Sequence, residues 1–167
     1  MILYHGSNVL VPEIDLGKCR PYRDFGTGFY LTLYPDQAKR MAARVARLYG
    51  GEKIVSIFEF DIDAITNLNV REFEKPSAEW AVFVMNNRST SFSETDSLEC
   101  NLDSKYDVVI GPVANDDMAL LFRQYSDNLI TLDMLTLGME YRDLTNQYSF
   151  HTTQSISTLT YKGALNE

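Results

Sequence analysis

Two short stretches of this chain carry residue types that could do chemistry together. His5-Gly6-Ser7 closes an apolar run, Met1 to Tyr4, and so places an imidazole, an unhindered backbone and a hydroxyl at one strand end. Phe25-Gly26-Thr27-Gly28-Phe29-Tyr30 sets two glycines among three flat rings. Glycine inside a strand pattern marks a bulge or a place where another group must come close to the backbone. Aromatic walls beside an open backbone suit a planar ring that stacks on the walls and offers polar edges to main-chain groups. Each stretch also has a plain reading: a histidine that satisfies a carbonyl, and a tight turn.

The elements that must hold these stretches follow from periodicity. Met1–Ser7 reads as a short apolar strand running into a polar turn, and the run after Gly28 reads as a strand, as do Ile54–Phe60, a short piece near Leu68–Val70, Tyr106–Val113 and Asn146–Thr152. The continuous β-branched run at 106–113 predicts a central strand. Pro35 with Asp36 predicts a helix start, and Gly50-Gly51 its end. Met41, Val45 and Leu48 fall at helical spacing and are expected to face the core. A second helix is expected from Pro76 to about Arg88 with Trp80 and Val84 inside, a third from Asp116 to about Tyr125, and a shorter one from Leu129 to Leu137. Residues 8–23 and 88–104 read as irregular, and 153–162 fits helix and strand equally. Strands that do not alternate regularly with helices make this an α+β chain.

Composition narrows the classes. A chain of 167 residues with 45% hydrophobic and 23% charged residues suits one domain, 1–167, with an ordinary core. Its net charge of −8 argues against a large non-specific nucleic-acid surface. One local basic patch stands out: Lys18, Arg20 and Arg23, then Lys39, Arg40, Arg44 and Arg47, for which a solvated face is the plainest reading. Two widely separated cysteines, Cys19 and Cys100, suggest neither a zinc site nor a disulfide framework. With no leader-like segment or long apolar run, a cytoplasmic location is the expectation. The glycine pair lacks the third glycine of a dinucleotide fingerprint, and no phosphate-cradling loop is present.

The two stretches, in this order, resemble the H-G-S/T and F-G-x-G-I-Y-F segments of the ADP-ribosyltransferase superfamily. The resemblance is to the branch shared by diphtheria toxin and the poly(ADP-ribose) polymerases. It implies a fold of split, mainly antiparallel sheets with inserted helices. It implies NAD as co-substrate, His5 and Ser7 on the adenosine ribose, the Gly6 backbone on the nicotinamide carboxamide, and Tyr30 stacked on the nicotinamide ring beside Gly26 and Gly28. Phe25 is the candidate to close the ring's other side, because Met41 stands where the polymerases carry a second stacking tyrosine.

The superfamily's third signature residue, commonly Glu, aligns with Gln147. His5, Tyr30 and Gln147 are thus the implied catalytic set, with no metal. Gln147 can hold a ribose hydroxyl but brings no charge to an oxocarbenium-like ribose. Asp24, Glu140 and Asp143 are alternative sources of that carboxylate. A glutamate at 147 is expected to speed NAD cleavage unless one of these acids already supplies the charge. The implied activity is mono-ADP-ribosyl transfer to a protein or nucleic-acid acceptor, as in the toxin of a bacterial toxin–antitoxin pair (with an antitoxin as partner) or a defence enzyme. The alternatives are an NAD or ADP-ribose binding module and an NAD glycohydrolase.

Overall fold

The computed structural model describes residues 1–140 and 144–166. In chain order its elements are β1 (Ile2–Ser7), β2 (Phe29–Thr32), α1 (Pro35–Tyr49), β3 (Ile54–Phe60), β4 (Val70–Glu72), α2 (Ala78–Arg88) and β5 (Val108–Pro112). They are followed by α3 (Asp116–Ser126), α4 (Leu132–Glu140), β6 (Asn146–Phe150), α5 (Thr153–Ile156) and β7 (Leu159–Asn166). The stretch after Thr152, which fits helix and strand equally in sequence, contains both. Among the described residues the strands form one sheet in the order β4-β5-β6-β2-β1-β3-β7. All pairings are antiparallel except β4 with β5. The α+β class therefore holds, with a single mixed sheet in place of two.

What remains of a split is a seam between β1 and β2. β3 pairs with β1 over six register positions and β2 with β6 over four, yet β1 meets β2 only at Tyr4↔Thr32. Alternation along the strands sends side chains to two faces. Leu3, Phe29, Leu31, Phe58, Val108 and Phe150 pack on one face, beneath the irregular segment carrying Val11, Ile14 and Leu16. On the other face α1 covers Val55, and α2, α3 and α4 cover Val109 through Trp80, Phe83, Val84, Met118 and Leu135. The Trp80 ring is fully buried, and its Nε1–H donates to the Pro112 carbonyl at 3.2 Å. No helix among the described residues is long and apolar enough to cross a membrane.

Helix α1 begins with Pro35 at its first position and stops at Gly50, whose φ is +76°. Its buried face corrects the expectation from periodicity. Met41 and Leu48 are 46% and 59% exposed, and the inner face is Ala38 and Ala42. The cause lies in β1, where a Cβ on Gly6 would sit 1.9 Å from the Ala38 carbonyl oxygen. A helix this close to a strand has room only for alanine on its inner face, so the larger residues turn outward.

Gly6→Ala should therefore push α1 off β1. Overpacking of this kind costs about 3 kcal/mol, which for a chain of this size lowers the melting temperature by about 6–12 °C. Thermal unfolding followed by circular dichroism measures it; a shift below about 2 °C would mean that α1 yields freely.

Candidate functional site

The seam has a polar lining that follows from strand geometry. The Met1 ammonium donates to the Phe60 carbonyl at 2.9 Å and the Phe60 N–H to the Met1 carbonyl at 2.7 Å, so this pair exchanges both bonds. In an antiparallel ladder such pairs recur at every second residue. Leu3, His5 and Ser7 therefore turn their backbone groups towards β3, and Tyr4 and Gly6 turn theirs towards β2. Tyr4 finds Thr32 there. Gly6 would next meet Tyr30, but the ladder has ended. The Tyr30 carbonyl accepts instead from His5 Nδ1 at 2.8 Å. An imidazole thus wedges the strands apart, and the N–H and C=O of Gly6 face the gap.

That bond sets the state of His5. A carbonyl only accepts, so Nδ1 carries the proton and Nε2 is the acceptor. Burial lowers the His5 pKa, with the Tyr30 carbonyl acting weakly in the other direction, which favours the neutral ring. Nε2 has no hydrogen-bond partner among the described residues, nor has the half-buried Ser7 hydroxyl, two residues along the same face. Together with Gly6 they form a row of one acceptor, one backbone edge and one hydroxyl at the end of β1.

The glycine-rich stretch is arranged differently from the expectation. Phe25 is 0% exposed and packs on Phe73 and Phe83 at 6.2 and 6.1 Å between ring centroids, so it is core and not a free wall. Phe29 is also buried, with the His5 ring 4.3 Å away. The space beside Gly28 is filled, since a Cβ there would lie 2.5 Å from His151 Nδ1. The group that comes close to this backbone belongs to the protein itself. Gly26 has φ +92°, a left-handed turn closed by Tyr30, whose hydroxyl donates to the Gly26 carbonyl at 2.7 Å and accepts from the Phe25 N–H at 3.0 Å.

Burial, then the charge of Asp24, raises the Tyr30 pKa well above its usual value. The half-buried Tyr30 ring lies near Phe25 and, edge-on, His151. Neighbouring residues in a strand point to opposite faces, so Phe29 and Tyr30 leave β2 on opposite sides, and the His5 ring of β1 lies on the Phe29 side. They share the seam through one hydrogen bond and do not face each other across a single cleft.

On the Tyr30 side lies a polar cluster. Asp24, 8% exposed, accepts from Arg88 Nε and Nη2 at 2.9 and 2.6 Å, from the Ala114 N–H at 3.0 Å and from Gln147 Nε2 at 2.9 Å. Gln147 sits opposite Thr32, three rows from Phe29↔Phe150. Because Asp24 holds its amide nitrogen, Oε1 is the end left to accept. Of the three acids weighed for a site carboxylate, Asp24 reaches Gln147 but is matched by Arg88, Glu140 is exposed at the end of α4, and Asp143 lies outside the described residues. Sequence reasoning missed Arg88, 64 positions from its partner. It also missed the role of His151, whose Nδ1–H donates to the Thr27 carbonyl at 2.8 Å while Nε2 lies 2.8 Å from the Ser149 hydroxyl. The close-approach glycines were the only signal for the latter.

Burial lowers the His151 pKa from 6.5 to about 4, against weaker opposite pulls from the Thr27 carbonyl and Asp107. The unfolded chain therefore binds more protons than the native chain between those values, and stability falls as pH falls through that window. The His151 contribution is complete above about pH 6.5, is lost by about pH 4, and amounts to about 3 kcal/mol. Urea unfolding at several pH values should show this slope, and His151→Gln should be less stable at neutral pH but flatter. A variant with the wild-type slope would assign the effect to other groups.

A family model described as "Protein of unknown function (DUF3990)" matches residues 1–161, and the chain belongs to that family. No curated protein matches it.

Proposed function

For this member of the family we propose an ADP-ribosyltransferase-like domain that binds NAD at the seam between β1 and β2 and transfers ADP-ribose to a macromolecular acceptor, slowly and one unit at a time. The observation that carries the reading is the backbone edge of Gly6, directed into a gap where the ladder has stopped. A primary carboxamide presents an N–H and a C=O side by side, the complement of such an edge. His5 Nε2, as a fixed acceptor, suits a ribose hydroxyl on its side of the sheet, and Gln147 Oε1 suits another where the ligand passes through the gap to the Tyr30 side. In the reaction the bond between the nicotinamide nitrogen and the ribose anomeric carbon breaks, and its electron pair leaves with nicotinamide. A lone pair of the acceptor forms the new bond to that carbon, and the acceptor's proton passes to solvent.

A second reading, an NAD or ADP-ribose binding module, draws on the state of Asp24. With four donors around it and Arg88 as counter-charge, it offers little field to a developing cation. Catalysis by positioning alone is weak when general-base help, worth about 10²–10⁴ in rate, is missing.

Calorimetric titration with NAD, together with a nicotinamide-release assay in a cell extract, tests both readings. Binding with release into labelled macromolecule supports transfer, and binding without release supports the module. Free ADP-ribose alone marks a glycohydrolase, and no binding overturns the site. His5→Ala should weaken NAD by about tenfold, the value of one good hydrogen bond. Gln147→Glu should lower both affinity and release, because the new carboxylate meets Asp24 where an amide donor stood, and one of the two must take up a proton. A faster Gln147→Glu variant would show that Asp24 is no obstacle.

A further inference from the structure

Two helices on one side of the sheet present outer faces that complement each other. On α1 the buried side is Ala38 and Ala42, and Arg40, Met41, Arg44, Arg47 and Leu48 are all exposed. Arg40, Arg44 and Arg47 stand at i, i+4 and i+7, and Met41, Arg44 and Leu48 at i, i+3 and i+7. The two rows share Arg44 and form one face. Asp36, one turn before Arg40, belongs to the arginine row at the start of the helix and makes no ion pair with it. Three arginines and one aspartate leave this face a formal charge of +2.

On α4 the inner side is Leu135 and Met139, with Gly138 close against Leu121 of α3. Outward stand Asp133, Leu137 and Glu140 at i, i+4 and i+7, with Met134 one turn before Leu137. Met134 and Leu137 are 55% and 59% exposed. From Gln124 to Glu140 the chain holds no Lys or Arg, and the basic residue of α3, Arg123, lines the groove towards α2. Neither Asp133 nor Glu140 has an ion pair or hydrogen bond among the described residues, so this face keeps a formal charge of −2. A single exposed leucine needs no explanation. Here each helix sets two large apolar side chains beside charges of one sign, and the two signs are opposite. The two faces do not meet within one chain, since their side chains are exposed.

We infer that the outer face of α1 docks on the outer face of α4 in a second copy of this chain. Met41 and Leu48 pack on Met134 and Leu137, and the arginines lie along Asp133 and Glu140. The patches match in length, about 12 Å from Arg40 to Leu48 and about 10 Å from Asp133 to Glu140 at the rise of an α-helix. Each face asks for a partner with the other's charge and apolar content, and the chain itself supplies both. Because α1 and α4 stand on the same side of the sheet, two copies face to face make the contact twice about a two-fold axis and close as a dimer. The contact uses no residue of the seam and stands whether or not NAD binds there.

The test is sedimentation equilibrium of the full chain without NAD, from about 5 to 500 µM at about 50 mM salt. A monomer–dimer equilibrium is expected, and it should weaken at about 500 mM salt as the charges are screened. One variant carries Arg40→Glu, Arg44→Glu and Arg47→Glu, and another Asp133→Lys and Glu140→Lys. Each should dimerise at least about 100-fold more weakly, because like charges then meet. Mixed in equal amounts, the two should form a heterodimer, since opposite charges again face each other at both contacts. Met134→Ser with Leu137→Ser should weaken the dimer at least about tenfold, and Lys75→Glu, outside both faces, should leave it unchanged. Thermal melts confirm that each variant is folded; where a charge variant is not, the serine pair decides. A wild type that stays monomeric at the highest concentration overturns the inference, as does growth beyond a dimer. So do charge or serine variants that dimerise as wild type, or a mixture of the two charge variants that stays monomeric.

Discussion

The bond from His5 to the Tyr30 carbonyl decides what kind of sheet this is. A backbone donor at that place would have continued the ladder, and β1 and β2 would lie flush along their length. A side-chain donor satisfies the same carbonyl from farther away and keeps the strands apart. Buried carbonyls demand a partner, so the imidazole is held as firmly as the gap it maintains. The gap, the tautomer of His5 and the orientation of the Gly6 peptide are three results of one substitution of donor.

Asp24 plays the matching part on the other face. Its carboxylate draws in the end of α2 through Arg88, the chain after β5 through Ala114, and β6 through Gln147. A charge so enclosed is tolerable only with its counter-charge and all its donors in place. The glycine-rich turn is therefore fastened at both ends, by Asp24 before it and by the Tyr30 hydroxyl across it. This rigidity explains why its rings serve the core rather than a ligand.

Much of the fold could be read along the chain. The strand at 108–112 and helix α2 around Trp80 follow from long apolar runs with clear ends. The face of α1 could not be read, because its packing is set by the absence of a side chain on Gly6, more than 30 residues upstream. His5, Gly6 and Ser7 were legible as a polar strand end, while the rings after Asp24 misled: a flat side chain that stacks on a ligand and one that stacks on Phe73 look alike in sequence. Arg88 could not be found at all, since nothing near it marks a partner 64 positions away. Gln147 was placed by resemblance, and its neighbour Asp24 emerges only in three dimensions.

The place of β6 has a consequence for how the chain comes into being. It lies between β5 and β2, and its partners across the ladder include Phe29, far earlier in the chain. During synthesis β1, α1 and β3 can close on one another as soon as they emerge, and the helical layer can gather around Trp80. Strand β2 has no strand partner on the β5 side until Asn146–Phe150 leaves the ribosome, because β6 is the strand that lies between them. Pairing over such separations is slow, and until then β2 exposes an unmatched edge to other chains. Strand β6, near the end of the chain, is thus the piece that closes the sheet between β5 and β2.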